Sequence, residues 1–461
     1  IKQSLLILGG KNMHNERSNF TGKIGFVLAA AGSAVGLGNI WRFPYLAAKY
    51  GGGIFLVVYL ILAVTFGFAL MTAEIAIGRK TGLSAVGAFR KLNQKYAFIG
   101  YLESIVPIII LPYYCVIGGW VIKYFASYVS GHTSDAALTD YFNNFISQPL
   151  QPVLWFAAFL LITLVIVLFG VEKGVEKVSK IMMPILVVLS LIIAVYVLFL
   201  PGAIEGVKYY IMPDFSKFSV NTVLGAMGQL FYSMSLAMGI MITYGSYMKK
   251  DVSLEKSVKQ IEVFDTGIAF LAGLMIIPAV FVFSGGEEVG AGPGLMFQTL
   301  PKVFANMSGG SFIGLLFFLL VLFAALTSSI SLMEAVVSIF CDKFKITRKK
   351  ACFITFVIAL VLGIPSSLGN GIWSNITIIG KDFLSFFDFI SNSVIMPIVA
   401  LLTCIFVGYV IKPKTLVEEV SITGKFKGEK LFTVVIKYIA PICIVLILIS
   451  SVLDSLGYIK I

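Results

Sequence analysis

Two stretches of this 461-residue chain place small and polar residues where an apolar helix should run unbroken. Ala31-Gly32-Ser33-Ala34-Val35-Gly36-Leu37-Gly38-Asn39 carries three glycines in seven residues, and Ser233-Met234-Ser235-Leu236-Ala237-Met238-Gly239 is similarly rich in small groups. Glycine costs a helix ~1 kcal/mol relative to alanine, so each stretch is a weak point. A third cluster, Thr327-Ser328-Ser329, follows the run LLFFLLVLFAAL, and Asp265 lies near the start of another apolar run. One Ser or Thr in such a helix commonly bonds its own backbone. A carboxylate is different, because in lipid it costs several kcal/mol unless paired or solvated. Hydroxyl, carbonyl and carboxylate oxygens together suit a hard monovalent cation. No His/Cys grouping suits a transition metal. The five cysteines stand singly with no C-x-x-C spacing and read as packing residues. His14 and His132 lie outside the apolar runs, and no nucleophile–base grouping appears, which disfavours a membrane enzyme.

The elements that position these residues are long apolar runs. The chain is 58% hydrophobic and 13% charged, outside the range of soluble domains. Eleven spans are expected near 22–48, 53–78, 97–128, 151–170, 180–200, 219–248, 261–284, 311–341, 350–364, 383–410 and 431–456. Their continuity over ~20 residues predicts helices rather than a barrel, hence an all-α integral membrane protein. The net charge of +12 is a topology signal rather than a nucleic-acid footprint. With the N-terminus inside, the cytoplasmic segments hold 26 Lys/Arg and the external ones 5. An odd number of spans then leaves the C-terminus outside, in a multi-pass cell-membrane protein. Residues 1–15 are set apart as an N-terminal segment without a signal-peptide core, and Met13 is the expected native start. Residues 16–461 form one domain.

The two weak points fall in spans 1 and 6, five apart. That spacing is expected of two inverted five-helix repeats, spans 1–5 (22–200) and 6–10 (219–410), followed by an eleventh span. Paired interrupted helices point to a binding site near the midplane. The residues alone thus predict an ion-coupled secondary transporter. A proton-coupled amino-acid transporter of the same architecture is the second reading, because Glu74, Glu334 and Asp265 can titrate. A channel or a receptor ranks below both.

The strings GSAVGLGNIWRFPYLAAKYGGGIF (32–55), GQLFYSMSLAMGIMITYGSY (228–247) and LFAALTSSISLM (322–333) resemble the signatures of the neurotransmitter:sodium symporters, over nearly the whole chain. Eleven spans rather than twelve resembles a bacterial subset. The resemblance implies co-transported Na+ as the only metal ion. One sodium site would use Ala34, Asn39, Ser233 and Asp265 with the substrate carboxylate. A second would use Gly32, Val35, Ala324, Thr327 and Ser328.

Asp265 stands where the family commonly has Asn, and Ala269 where chloride-binding members carry a serine, although Tyr59, Gln229 and Ser233 match part of that chloride set. Chloride-independent transport is therefore expected. Gly36 replaces the aspartate of monoamine transporters, so the ligand should bring its own carboxylate, as an amino acid does. Substrate contacts would come from Ala34, Leu37, Gly38, Ile110, Tyr114, Ile117, Tyr232, Ser233, Ser235, Met238, Ser329 and Leu332. This largely apolar lining favours a hydrophobic or aromatic neutral L-amino acid, with Ala237, in place of the family's Gly, crowding the pocket. Arg42 and Asp388, with Gln229, resemble the external gate. Arg17 and Asp342, braced by Tyr247, resemble the cytoplasmic one, and Phe20 replaces a usual Trp beside it. Glu74 and Glu334 read as structural hydrogen-bond anchors. A monomer suffices for this mechanism, since the two repeats build one site.

Overall fold

The computed structural model describes residues 19–284 and 292–455; the segment 1–15, Met13 and Arg17 lie outside them. Nine helices among the described residues are long and apolar enough to cross a membrane. They are Gly53–Thr81, Gln94–Val129, Gln151–Leu168, Val171–Leu198, Leu254–Phe283, Gly310–Phe344, Arg348–Leu368, Phe383–Val410 and Glu429–Leu453. Two further spans are interrupted. The first is the pair Lys23–Ala34 and Gly38–Lys49, bent by 54°. The sixth consists of Val220–Ser233 and Ile240–Ser246, with residues 234–239 irregular between them. Counting each pair as one span makes eleven, numbered 1 to 11 in chain order below. Spans 1 and 6 break as expected, consistent with the inverted-repeat architecture.

Spans 5 and 7 begin earlier than their apolar runs, at Val171 and Leu254. The added turns carry the charged residues Lys173, Lys177, Lys256 and Lys259, all exposed. Hydropathy registers only the part of a helix in lipid, so extensions beyond the bilayer escape it. The core lies among spans 1, 3, 6 and 8, whose facing residues are almost fully buried. Spans 4, 5, 9 and 11 turn rows such as Leu161/Val165, Val188/Leu191/Val195, Val357/Val361 and Ile442/Leu446/Ile449 outward. Apolar residues outermost and small or polar ones innermost is the pattern of a protein solvated by lipid.

Close approach at three glycines sets the packing. Gly52 has φ +60°, and a Cβ there would lie 2.0 Å from the Tyr209 carbonyl oxygen, which pins the turn between spans 1 and 2 under the connecting helix Ala203–Ile211. At the other end of span 2, a Cβ on Gly78 would lie 1.9 Å from the Ile242 oxygen. One on Gly245 would lie 2.3 Å from the Ile75 oxygen. Span 2 and the inner half of span 6 therefore pack backbone against backbone. The outer half of span 6 starts at a capping box, in which Ser219 and Thr222 exchange side-chain-to-backbone hydrogen bonds.

Candidate functional site

A broken membrane helix must find partners for the peptide groups it frees, since lipid offers none. In span 1 side chains do this. Gly36 N–H donates to Asn39 Oδ1 (3.1 Å), and Leu37 N–H donates to the Tyr114 hydroxyl (3.3 Å). The Gly38 carbonyl accepts from Gln229 Nε2 (2.9 Å). In span 6 carboxylates do it. Ala237 N–H donates to Glu74 (2.7 Å) and Gly239 N–H donates to Glu103 (3.1 Å). The two breaks also hold each other, because the Ser235 hydroxyl donates to the Ser33 carbonyl at 3.0 Å. Ser235 (φ +52°) and Ala237 (φ +58°) are both left-handed. Such backbone costs a non-glycine residue about 1–2 kcal/mol. Ala237 was expected to crowd the pocket. It lies outside the cavity lining, and its methyl bears on backbone strain instead.

Between the breaks lies a cavity of about 30 Å³, lined by Ala34, Leu37, Gly38, Ile110, Tyr114, Tyr232, Ser233, Ser235, Met238 and Leu332 of the expected substrate set. Ser33, Gly36, Asn39, Ile240 and Ser328 complete the lining. Sequence reasoning did not assign Ser33 and Ile240 to the pocket; Ser33 stands within the interrupted stretch of span 1, whereas Ile240, the first residue of the helix after the second break, carries no signal of its own. Two expected members sit elsewhere. Ile117 lines a neighbouring vestibule, and the Ser329 hydroxyl is buried against Thr163 at 2.9 Å. Glu103 was also missed, although a lone carboxylate inside the apolar run of span 3 is the signal that marks it.

Asp265 sits fully buried behind this cavity. Its Oδ1 accepts from Asn39 Nδ2 (2.7 Å) and the Ser233 hydroxyl (2.7 Å), and its Oδ2 from the Tyr59 hydroxyl (3.3 Å). The second oxygen cluster is equally compact. The Ser328 hydroxyl lies 3.5, 3.1 and 3.4 Å from the carbonyl oxygens of Gly32, Ser33 and Val35. The Thr327 hydroxyl lies 3.1 Å from the Ala324 oxygen. Ser328 thus reaches the span 1 carbonyls where span 8 crosses the break, whereas the Thr327 hydroxyl bonds Phe323 and Ala324 of its own helix and its Cβ packs beside Gly32. A Cβ on Gly36 would sit 2.6 Å from Ser328 Oγ, so no larger residue fits there without displacement.

On one side of the cavity, the Tyr232 ring separates it from a vestibule of about 480 Å³. Arg42 and Asp388 both line this vestibule without forming an ion pair. Arg42 lies over the Tyr232 ring (5.4 Å), and Asp388 accepts from Tyr113 (3.2 Å) and Asn392 (2.6 Å). On the other side the packing is dense. Phe20 is buried against the rings of Phe26, Tyr244 and Tyr247. The Tyr247 hydroxyl, expected to brace Asp342, donates to Glu334 at 2.8 Å, and Arg348 pairs with the same carboxylate. Asp342 accepts from the backbone and hydroxyl of Ser84 (2.8 and 2.6 Å). A further buried pair, Arg79–Glu419 (2.8 Å), ties span 2 to the short helix Lys414–Val420, with Lys250 on the same carboxylate.

Two discontinuous helices around a cavity, with clustered oxygen donors and aromatic or charged closures above and below, define an ion-coupled membrane transporter. The chain belongs to the sodium:neurotransmitter symporter family, whose model matches residues 17–144 and 137–459. It is 33% identical to an uncharacterized sodium-dependent transporter of Haemophilus influenzae, over 95% of this chain and 99% of that one. It is 34% identical to the sodium-dependent transporter YhdH of Bacillus subtilis, over 93% and 96%. The crystal structure of MhsT in complex with L-phenylalanine superimposes with a TM-score of 0.86 at 39% identity, covering 94% of this chain and all of that one. The protein is thus a sodium-dependent symporter that co-transports Na+ with a small-molecule substrate, and not an enzyme.

Proposed function

We propose that the protein takes up a neutral hydrophobic or aromatic L-amino acid together with two sodium ions, without chloride. The observation that carries the chloride independence is Asp265, whose carboxylate accepts from Tyr59 and Ser233, two groups of the set expected around a chloride ion. A fixed negative charge there does the ion's work beside the first sodium. The substrate reading is supported by an apolar cavity wall of Ile110, Met238, Ile240 and Leu332. At one end of that cavity Tyr114 and the Leu37 and Gly38 N–H groups meet, the place for a carboxylate. The cavity has room for only a water or two, so binding requires Tyr232 and its neighbours to give way toward the vestibule.

Two sodium ions with one zwitterion carry two charges, worth about 4.6 kcal/mol at ~100 mV, which supports more than about a thousandfold accumulation. Residues 16–461 act as one domain in the cell membrane, N-terminus inside and C-terminus outside, and a monomer is sufficient. The test is uptake of labelled L-amino acids into proteoliposomes under a sodium gradient, with impermeant anions replacing chloride. Hydrophobic or aromatic substrates should accumulate, and potassium in place of sodium should abolish uptake. Accumulation of only small polar amino acids, or a requirement for chloride, overturns the reading.

In the same assay Met238→Phe is expected to shift preference toward smaller substrates by about tenfold, the usual scale for a change of a few carbons in an apolar pocket. An unchanged ranking removes Met238 from the specificity pocket.

A further inference from the structure

Glu74 of span 2 and Glu103 of span 3 grip alternate peptide groups of the break in span 6. Each spends one oxygen, Oε1, on the N–H of Ala237 or Gly239. The other oxygen of each, Oε2, is buried and has no hydrogen-bond partner. The N–H groups they hold are two residues apart in the same break, and both side chains are at most 2% exposed.

Among the described residues no cation forms an ion pair with either carboxylate. Arg79, five residues along span 2 from Glu74, is committed to Glu419 and the Val252 carbonyl. On the neighbouring helix Ala85–Leu92, Arg90 donates to the Tyr101 hydroxyl and Lys91 to the Thr81 carbonyl. From span 10 the facing titratable group is the Cys404 thiol. On span 7, Asp265 is held by Asn39 and Ser233, while Glu262 lies one turn before it and Glu255 pairs with Lys259. Span 11 brings Lys437, which forms no ion pair among the described residues. The break itself carries no titratable side chain. Two ionised carboxylates buried behind one break repel each other and leave an acceptor on each without a protein donor. A single proton removes one of the two charges and turns one bare oxygen from an unsatisfied acceptor into a donor, so that the two carboxyls titrate together.

We propose that Glu74 and Glu103 together bind one exchangeable proton, whose occupancy sets how firmly the break in span 6 is held during the transport cycle. Proton loss leaves two like charges behind Ala237 and Gly239, in the left-handed stretch that carries Ser235 and Met238 into the cavity and begins after Ser233. Sodium affinity at the site is then pH-dependent through groups that are not sodium ligands. This rests on the geometry of the break and not on which amino acid is carried.

The experiment uses the full chain in liposomes, with 22Na+ as the probe and infrared spectroscopy of the carboxyl C=O stretch from pH 5 to 10. The wild type should show a protonated-carboxyl band at neutral pH that fades on alkalinisation and is missing from the double variant Glu74→Gln/Glu103→Gln. Its 22Na+ affinity should fall severalfold over the same range, with a flattened profile in Glu103→Gln. A wild-type spectrum superimposing on that of the double variant, or a Glu103→Gln profile matching wild type, overturns the proposal. Should the Gln variants fail to fold, Glu103→Asp keeps a carboxyl but withdraws it from Glu74. An unchanged midpoint in that variant overturns the proposal equally, and a shifted midpoint supports it.

Discussion

Asp265→Asn is expected to weaken sodium binding by about a hundredfold or more and to make the residual transport sensitive to chloride. The substitution keeps an oxygen near Asn39 and Ser233 but removes the carboxylate charge at the proposed first sodium site. Taking one partner from a buried pair of opposite charges costs about 3–5 kcal/mol, and ~1.4 kcal/mol is a factor of ten. Added chloride can settle among the hydroxyls of Tyr59 and Ser233 that the carboxylate has released. Ala269 supplies no hydroxyl, so the rescue should be partial. Titration of 22Na+ binding in chloride and in gluconate checks both halves of the expectation. Chloride-stimulated uptake by the wild type that persists unchanged in Asp265→Asn contradicts the assignment.

The largest stability effect should come from Gly78→Ala, a change of one methyl group. That methyl would lie 1.9 Å from the Ile242 oxygen and 2.9 Å from the Ser246 nitrogen, both backbone atoms. A flexible side chain could swing away, but here the whole inner half of span 6 must separate from span 2. Overpacking costs about 1–3 kcal/mol where neighbours can adjust, and backbone adjusts least. The folded, monodisperse fraction after solubilisation and mild heating should fall by about tenfold, given ~1.4 kcal/mol per decade. Gly267→Ala is the control. It is also helical, its Cβ would meet nothing within 4 Å, and it should be neutral or mildly stabilising. Equal losses from both substitutions would mean that helix propensity, and not the span 2–span 6 contact, decides the outcome.

Much of this protein is legible in its sequence because lipid imposes a strong local rule. A segment that crosses hydrocarbon must be apolar and helical for ~20 residues, so the spans announce themselves. Departures from that rule are conspicuous for the same reason. Gly32, Gly36 and Gly38, the run Ser233–Gly239, Thr327 with Ser328, and Asp265 all stand out one-dimensionally, and the fold gathers them at one level. Where helices leave the bilayer the rule lapses, which is why the turns before Lys180 and before Ile261 are invisible to hydropathy.

What only the tertiary structure decided is partnership. Ser329 and Ser328 are neighbours in sequence, yet one hydroxyl turns to Thr163 and the other to the carbonyls of span 1, because successive residues on a helix point about 100° apart. The Tyr247 hydroxyl meets Glu334 and the Asp342 carboxylate meets Ser84, across sequence separations that no local pattern encodes. Glu74 and Glu103 belong to different spans and become a pair only because both must satisfy the peptide groups that a broken helix leaves bare. Composition and periodicity determine which segments enter the membrane. Which buried oxygen faces which is decided by helix packing, since direction and distance exist only once the spans have been brought together.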